Sequence, residues 1–565
     1  MDDTTSTMIH SEVSGRIAGR SPWALLSIVT AYCAVQAWLI ATSVMPADDG
    51  VRYMRQAIRL ESEPWRDVFR GSEDHPGFPM ALHGAFSIAR RVGFDSPAAR
   101  ILLAELVGSA AGLALILVAF HLARRVWGLV PAWIGLLAFA FLPRPAWQIG
   151  DILSDSSHAA LWLASAGAFA TALPSGRLGL AAAAGCLGSL AYWVRVDALT
   201  LPVGIIAAIA TVLASRRWRR ETPRKRALAA GAIYVALFAA GLVPFLLARG
   251  GISGKPVLRS IFGIEVLPMS LPAPSVCSLS GSSRGSLAMA TAGPGGWTAD
   301  LPSSLWDFVN DLAQEVQFVH VATLLLAAGL AFRYRRCSVA AACLGCVAAV
   351  HAVAVVTVRI RAGYLAGRYF LPWLPLMVSF GIWGGMEAAT LLRSRGWLRL
   401  PGRWRPDLAA ALAIALVSLA ASLPSLAMHA THQNGFGVMQ AGLWLRETLV
   451  EGDTVHDPYF FPTYAAGLGS RTVPTAAPAV IPTTAPPVVP TTAPAAVPTT
   501  APARGSARHY VIAQDRDLAK MPEIARLIQA GALTPVAEFP RRRGGARAEV
   551  RVYRWGGPEG LSRPR

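Results

Sequence analysis

Carboxylate and guanidinium side chains in this 565-residue chain collect beside the ends of long apolar runs. A carboxylate can take the proton from an attacking hydroxyl and so act as a general base. A guanidinium can hold a phosphate through paired hydrogen bonds and stabilise its charge as it leaves. The pattern therefore suits the transfer of a group from a phosphate to an acceptor. The side chains concerned are Asp48, Asp49 and Arg52; Asp74 and His75; Glu105; Arg144, Asp151 and Asp155; Arg195 and Asp197; and Arg359, Arg361 and Arg368.

The apolar runs predict a polytopic membrane protein. Hydrophobic residues make up 53% of the chain and charged residues only 15%. The runs recur at the length of about 20 residues that crosses a bilayer as a helix. We predict an all-α membrane domain with about eleven transmembrane helices. Their expected positions are 23–44, 101–120, 129–147, 157–173, 178–194, 198–214, 227–247, 317–332, 338–358, 370–390 and 407–426.

The charge of the loops predicts the orientation of these spans. The formal net charge is +19, and arginines concentrate in short loops that alternate with less basic ones. The positive-inside rule makes the basic loops cytoplasmic, together with the N-terminal tail at 1–22, and places the C-terminus outside the cytoplasm. Loop topology accounts for the basic charge, so we expect no nucleic-acid partner. The basic loops are Arg124–Arg125, Arg177, and the segments 215–226, 333–336 and 393–405.

The chain divides into a membrane domain at 23–426 and a smaller C-terminal domain. Two large outer loops are expected in the membrane domain, at 45–100 and 249–316. Residues 427–473 and 504–565 predict a small extracytoplasmic α/β domain, with the strand-like stretches HYVIA and RAEVRVYRW around a helix. A proline-rich repeat of period eight lies between them, and it predicts an extended linker at 474–503.

The middles of the predicted spans are almost free of charged residues. Transporters coupled to ions usually keep charged groups at that depth. His351 is the main titratable exception, and we interpret it as a helix-packing residue with a hydrogen-bond partner. Charges at the outer boundary instead suit a reaction of a lipid-linked phosphate. A sugar that leaves a polyprenyl phosphate develops negative charge on the phosphate, and the lipid tail explains a site beside the bilayer.

Five motifs follow one another along the membrane domain. They are DGVRY at Asp49 to Tyr53, HPGFP from His75, GDILSD at 150–155, YWVRVDAL from Tyr192 and GYLAGRYFLPWLP from Gly363. In type and order they resemble motifs of the polyprenyl-phosphate-dependent glycosyltransferases of the GT-C fold. That family includes protein O-mannosyltransferases and the aminoarabinose transferases of lipid A. The first motif is similar to the family's Asp-Glu motif, with Gly50 in the place of the glutamate.

The resemblance implies a GT-C-like fold and the inverting transfer of a hexosyl or pentosyl group from a polyprenyl-phosphate co-substrate. It makes Asp49 the general base, with Asp48 as a second carboxylate, and places Arg368 at the donor phosphate. The chemistry allows a divalent metal ion, but the sequence assigns it no ligands. The residues expected to bind substrate are Arg368, Tyr364, Asp155, Arg195, Asp197, His75 and Tyr53.

Structural interpretations remain open beside the catalytic one. Asp49 can simply cap a helix, Arg195 and Asp197 can form a surface ion pair, and Arg368 can extend to the membrane interface. For the whole chain, the alternatives are a transporter or flippase of lipid-linked sugars and a scaffold that has lost activity. We expect a bacterial cytoplasmic membrane as the location. The expected partners are a lipid-linked sugar donor, the bilayer, and a glycan, lipid or protein acceptor.

Overall fold

The computed structural model describes most of the membrane domain and parts of the C-terminal domain. Described are residues 21–249 except 71 and 73, together with 301–334, 338–362, 366–398, 405–428 and 436–449. In the C-terminal segment they are 453–457, 464, 509–515, 518, 521–540 and 548–555. The predicted linker at 474–503 and most of the predicted outer loop at 249–316 lie outside the described residues.

Helices dominate the described residues up to 448, and each of the eleven predicted spans falls mainly on helical residues. Ser96 caps the N-terminus of the helix at Pro97–Trp127, because its hydroxyl accepts a hydrogen bond from the amide of Ala99 and Pro97 follows it. The helices of this part are α1 (Ser21–Thr42), α2 (Asp48–Arg59), α3 (Trp65–Phe69), α4 (Gly77–Arg91), α5 (Pro97–Trp127), α6 (Leu129–Ala140), α7 (Pro143–Gly150), α8 (Ser154–Ser175), α9 (Leu178–Val194), α10 (Thr200–Ala214), α11 (Arg216–Glu221), α12 (Arg224–Arg249), α13 (Leu301–Tyr334), α14 (Val339–Ala362), α15 (Leu374–Ser394), α16 (Pro406–Met428) and α17 (Phe436–Thr448), with 3₁₀ turns at Val196–Leu199 and Gly367–Phe370.

The chain is a polytopic membrane protein, as predicted, although its spans are less uniform than the hydropathy pattern suggests. Within the described residues, eight helices are long and apolar enough to cross a membrane, and nine if one bent pair counts as a span. That pair is α6 and α7, which meet at 69° where one continuous span was predicted at 129–147. Pro143 and Pro145 lie at the start of α7 and lack the amide hydrogens that a continuous helix needs.

Helices α8 and α9 account for the rest of the difference from eleven. Helix α9 is apolar but has only 17 residues, and α8 begins with the polar stretch Ser154, Asp155, Ser156 and Ser157. The two helices pack side by side, and Ser165 of α8 donates a hydrogen bond of 2.8 Å to the carbonyl of Ala184 in α9. That α8 and α9 each cross the bilayer stays a prediction.

The C-terminal domain forms a four-stranded sheet in the order β1-β2-β4-β3. Strand β1 runs parallel to β2, while β4 is antiparallel to both β2 and β3. The two predicted strands and the helix predicted between them are present, and β3 was not predicted. The strands are β1 (Thr454–His456), β2 (His509–Gln514), β3 (Leu533–Pro540) and β4 (Ala548–Trp555), with helix α18 (Pro522–Gln529) between β2 and β3.

Helix α2 lies between the membrane bundle and the C-terminal sheet. Its Val51 packs with Val438 and Leu445 of α17 and with residues of the sheet. Its Tyr53 and Met54 pack into a second cluster with α4, α5 and the segment after α7. Most of the large apolar core lies farther along the bundle, around α5 to α10. Helix α2 is therefore held on two sides, which fixes the charged residues in its first turns.

Candidate active site

The structure brings together two residues that lie at opposite ends of the membrane domain. Asp49 belongs to the first turn of α2, and Arg368 belongs to the 3₁₀ turn before α15. They are 319 positions apart, yet Arg368 Nη1 donates a hydrogen bond of 2.7 Å to Asp49 Oδ2. The side chains are 23% and 26% exposed, so the pair remains accessible.

Arg52 extends this ion pair on the side of α2. Its Nη2 lies 3.0 Å from Asp49 Oδ1 and 2.9 Å from Asp74 Oδ1. Gln56, one helical turn after Arg52, donates a hydrogen bond of 2.9 Å to the other oxygen of Asp74. Asp74 thereby anchors Arg52 beside Asp49. We call Asp49, Arg52 and Arg368 the open group, because each keeps more than a fifth of its side chain exposed.

A second set of charges continues inward from Arg368. Arg195 Nη1 donates a hydrogen bond of 2.7 Å to Asp155 Oδ1, and its Nη2 donates one of 2.8 Å to Asp197 Oδ2. Asp155 Oδ2 lies 3.8 Å from Arg368 Nη1 and links the two sets. The guanidinium of Arg195 also lies over the ring of Tyr369, 5.4 Å from its centre. We call Asp155, Arg195 and Asp197 the buried group after its first two members, which are 3% and 5% exposed, while Asp197 is 22% exposed.

Seven side chains thus form one chain of alternating charge, from Asp74 through the open group to Asp197. Opposite charges raise the pKa of the arginines here. Asp155 and then Asp49 raise the pKa of Arg368, despite its burial. Burial lowers the pKa of Arg52, but Asp74 and Asp49 outweigh it and the net shift is upward. Both arginines are therefore cations at every pH at which a protein stays folded.

Two polar atoms inside this chain are left over. Arg368 Nε and Asp155 Oδ2 are buried, and neither makes a hydrogen bond within the described part of the protein. A buried donor or acceptor without a partner is costly and is usually satisfied by water or ligand. One is a donor and the other an acceptor, so the junction of the two groups suits a ligand that carries both phosphate oxygens and hydroxyls.

Gly50, the departure from the Asp-Glu motif, has a steric cause. A Cβ atom built on Gly50 would lie 2.8 Å from both the Cβ and the carbonyl oxygen of Ile152. Helix α2 therefore rests directly on the segment between α7 and α8. A glutamate at this position would push α2 away from that segment, and with it Asp49.

Asp151 reinforces this contact between α2 and the segment after α7. Its Oδ1 accepts hydrogen bonds from the amides of Ala47 and Ile152, at 3.1 and 2.8 Å. The first of these amides comes just before α2, and the second belongs to the residue that lies against Gly50. Glycine at position 50 thus allows α2 to approach the segment after α7 closely, and the hydrogen bonds of Asp151 stabilise that approach.

The remaining predicted site residues are placed around the cluster in different ways. Asp48 is exposed at the N-terminus of α2, where its negative charge interacts favourably with the helix dipole. It has no ion pair among the described residues. The buried Tyr53 hydroxyl lies 3.1 Å from Ser154 Oγ. His75 is also buried, with Nδ1 2.8 Å from the carbonyl oxygen of Tyr192 and its ring stacked on Phe245. Tyr364 lies outside the described residues.

From the sequence, Asp74 was placed among the boundary charges without a role, and Gln56 was not predicted to belong to the site. A signal for both was available, since Arg52 and Gln56 are four residues apart in a helix and so lie on one face. Two donors on one face predict a shared acceptor. The acceptor itself could not be identified, because helix spacing does not show which loop residue lies opposite.

A third polar cluster supports the turn that carries Arg368. Glu315 of α13 is 2% exposed, and its two oxygens lie 3.3 and 3.2 Å from Gln148 Nε2. Arg144 lies 3.5 Å from Glu315 and also bonds Gln314. Glu315 packs so closely against Gly367 that a Cβ there would overlap its carboxylate. The carboxylate therefore holds the backbone just before Arg368.

No part of the described structure collects a metal-binding set. Groups of three or more His, Cys, Asp or Glu side chains placed to hold an ion do not occur among these residues. Asp49, Asp74, Asp155 and Asp197 are each bonded to an arginine instead. The carboxylates of the charged chain are thus paired with arginines in this structure.

Solved structures share this architecture. The oligosaccharyltransferase of Archaeoglobus fulgidus in its apo form aligns with a TM-score of 0.52 at 15% identity, over 76% of this chain and 59% of that one. The archaeal oligosaccharyltransferase AglB, in complex with an inhibitory peptide and a dolichol-phosphate, aligns with a TM-score of 0.51 at 16% identity, over 76% and 58%. ArnT from Cupriavidus metallidurans, bound to undecaprenyl phosphate, aligns with a TM-score of 0.50 at 14% identity, over 96% and 100%.

The chain has a GT-C-type fold. The predicted fold class is thereby confirmed, from structural similarity alone at these low identities. The chain spans less than two thirds of the length of the archaeal structures but the whole of ArnT. No protein-family model matches the sequence, and no curated protein matches it.

Proposed function

We propose that this protein transfers a sugar from a polyprenyl phosphate to an acceptor on the extracytoplasmic face of a bacterial cytoplasmic membrane. One observation carries the proposal, namely the 2.7 Å contact between Asp49 and Arg368 in a partly exposed cluster beside the bundle. It pairs a candidate base with a candidate phosphate ligand. The GT-C-type fold supports it, because ArnT was solved with undecaprenyl phosphate and AglB with a dolichol-phosphate.

In this proposal Arg368 binds the donor phosphate. Its Nε is a buried donor without a hydrogen bond in the described structure, and its Nη1 is shared between Asp49 and Asp155. A phosphate oxygen at Nε satisfies that donor and adds a charge-assisted hydrogen bond, of about 1.5–3 kcal/mol. Arg195 lies on the far side of Asp155 and adds positive potential while remaining bound to its own carboxylates.

Asp49 is the general base for the acceptor hydroxyl. Both of its oxygens are bonded to arginines, Oδ1 to Arg52 and Oδ2 to Arg368. When phosphate takes over Arg368, Oδ2 is released to accept a hydrogen bond from the hydroxyl. Donor binding thereby prepares the base, and this order prevents an exposed free carboxylate in the absence of donor.

The transfer step then balances. The acceptor oxygen attacks the anomeric carbon, the bond from that carbon to the phosphate oxygen breaks, and the hydroxyl proton passes to Asp49. Polyprenyl phosphate leaves with its negative charge held by Arg368. A single displacement inverts the anomeric configuration. Since Asp48 is exposed away from these contacts, its part is electrostatic rather than direct.

A transporter of lipid-linked sugars is the weaker candidate. Transport needs a polar path through the bundle, whereas the charged chain described above lies at one end of it, beside α2 and the turn at Gly367–Phe370. A scaffold without activity is favoured by Gly50 only if the missing glutamate is essential. The close approach of Ile152 gives Gly50 a structural reason instead.

The test is transfer by purified protein in liposomes from a panel of labelled polyprenyl-phosphate sugars to membrane acceptors. We expect the wild type to release polyprenyl phosphate and to form product of inverted configuration. Arg368→Ala should lose this activity by about 100-fold or more. Arg405→Ala is the matched control, because it removes an exposed guanidinium paired only with Asp407 among the described residues. Equal activity of Arg368→Ala and wild type would refute the site.

A further inference from the structure

A buried histidine connects the two backbone turns that carry the arginines of the site. His351 lies in α14 and is 1% exposed. Its Nε2 lies 3.0 Å from the carbonyl oxygen of Tyr369, the residue after Arg368. Its Nδ1 lies 3.1 Å from Thr200 Oγ1, at the end of the turn that contains Asp197. One imidazole ring thus spans the gap between the turns.

The hydrogen-bond partners determine the proton positions. A carbonyl oxygen can only accept, so Nε2 must carry hydrogen and donate to Tyr369. In the neutral ring Nδ1 then carries no hydrogen and can only accept. It lies 3.1 Å from Thr200 Oγ1, whose one hydrogen is donated to the carbonyl oxygen of Asp197 at 2.7 Å and is within reach of Nδ1. Thr200 Oγ1 also accepts a hydrogen bond from Trp162 Nε1 at 3.3 Å. The ring is therefore held by a hydrogen bond at Nε2 and lies in polar contact with Thr200 at Nδ1.

Aromatic rings enclose the histidine and prevent it from shifting. Trp162 lies edge-on to it with 5.3 Å between ring centres, and Trp373 lies edge-on at 6.2 Å. A polar ring packed between two tryptophans is a rigid connector. The sequence predicted a helix-packing residue with a hydrogen-bond partner, and the structure gives His351 polar contacts on two separate turns.

The distance between the turns matters because both arginines converge on one carboxylate. Arg195 approaches Asp155 to 2.7 Å and Arg368 approaches it to 3.8 Å. The two guanidiniums are reached from different turns, at 195–199 and 367–370. A shift of the second turn alone would change the approach of Arg368 to Asp155 and to Asp49, while leaving Arg195 in place.

We propose that His351 is a positioning residue that sets the spacing of Arg368 from Arg195 and so the hold of Arg368 on the donor phosphate. The inference rests on the proposed function and deepens it, since it identifies the residue that fixes the position of Arg368, the proposed ligand of the donor phosphate. His351 touches neither phosphate nor sugar. Its effect passes through the carbonyl of Tyr369.

The test compares two replacements of His351, one that keeps an aromatic ring and one that keeps a hydrogen-bond donor. His351→Phe retains the contacts with Trp162 and Trp373 but removes both polar contacts. His351→Gln retains an amide donor for the carbonyl of Tyr369. His320→Phe is the matched control, because His320 is also fully buried in the bundle, with its Nε2 3.0 Å from Ser418 Oγ, and makes no hydrogen bond to either turn among the described residues. Affinity for undecaprenyl phosphate and turnover per folded molecule are measured for each.

We expect His351→Phe to weaken binding of undecaprenyl phosphate by on the order of tenfold and to lower turnover by up to about 100-fold, the cost of a misplacement of about 1 Å. His351→Gln should recover most of both quantities, and His320→Phe should match the wild type per folded molecule. Thr200→Val, which removes the second contact together with the Thr200 hydrogen bonds to Asp197 and Trp162, should weaken binding in the same direction. This variant tests the inference if His351→Phe does not fold.

Two results would overturn the inference: unchanged binding in His351→Phe, or equal losses in His351→Phe, His351→Gln and His320→Phe. The second pattern would indicate a merely structural role. The proposed function fails separately, if the wild type binds undecaprenyl phosphate but transfers no sugar from any donor. In that case the affinities alone still decide the role of His351.

Discussion

The open group and the buried group contain the same residue types but differ in what surrounds them. In the buried group, Arg195 and Asp155 are 5% and 3% exposed and bonded at 2.7 Å. In the open group, Arg368 and Asp49 form a contact of the same length but are 26% and 23% exposed. A buried ion pair cannot lose one partner without leaving a bare charge in a poor solvent, whereas an exposed pair can exchange partners. We therefore propose that the buried group fixes geometry and that the open group meets substrate.

The largest effect we predict comes from breaking the buried group. Arg195→Ala leaves Asp155 and Asp197 without their shared cation, and we expect a loss of about 3–5 kcal/mol in the free energy of unfolding. Thermal unfolding of the detergent-solubilised protein, followed by tryptophan fluorescence, measures this. Arg359→Ala is the control, because its partner Asp307 is 36% exposed. An unfolding midpoint of Arg195→Ala equal to that of Arg359→Ala would contradict the distinction between the groups.

Removal of the Arg368 guanidinium should have the opposite effect, with little change in stability and a clear loss of binding. In Arg368→Ala, Asp49 keeps its contact with Arg52 and partial exposure, so stability should change by less than about 1 kcal/mol. Binding of undecaprenyl phosphate should weaken by about 10- to 100-fold, the value of one or two charged hydrogen bonds. Isothermal titration measures the affinity. A variant that unfolds readily yet binds as the wild type does would reverse the assignment.

A smaller change should sharpen the comparison by moving Asp49 and Arg52, which lie on α2, relative to Arg368. Gly50→Ala places a methyl group 2.8 Å from Ile152, so α2 must shift and turnover should fall by about tenfold. Gly84→Ala is the matched helical control, since its Cβ would meet no atom within 4 Å. We expect that variant to retain turnover and to gain up to about 1 kcal/mol of stability. Equal turnover in the two variants would show that the approach of α2 to Ile152 is not needed.

The smallest predicted effect comes from Tyr53→Phe. The change removes only a buried hydroxyl, which lies 3.1 Å from Ser154 Oγ next to the buried group. We expect a loss of about 1 kcal/mol in unfolding free energy and little change in turnover. Chemical denaturation and the transfer assay measure the two quantities. A large loss of turnover would give Tyr53 the substrate contact that its motif predicts.

Much of the fold could be predicted, because apolar length and loop composition are local properties of the sequence. Every predicted span lies mainly on helical residues. The break between α6 and α7 was missed although Pro143 and Pro145 were visible, since prolines are tolerated in membrane helices. Strand β3 was missed because its two proline residues are atypical of strands.

The site was predicted in part for a different reason. Asp49, Arg368, Asp155, Arg195 and Asp197 were selected together, and the structure places all five in one chain of contacts. Which carboxylate pairs with which arginine depends on the packing of separate helices, which sequence spacing does not encode. For that reason Asp74 received no role, and the exposed position of Asp48 outside these ion pairs was not predicted. Their roles in catalysis stay predictions.

The most direct test of the central claim compares two adjacent carboxylates. Asp49 lies in the open group and Asp48 is exposed beside it, so Asp49→Asn and Asp48→Asn alter net charge and helix composition identically. The measurement is sugar release from the polyprenyl-phosphate donor per folded molecule. We predict a loss of about 100- to 10,000-fold for Asp49→Asn and less than about fivefold for Asp48→Asn, as expected for a screened neighbouring charge. Equal rates for the two variants would contradict the assignment of Asp49 as the base.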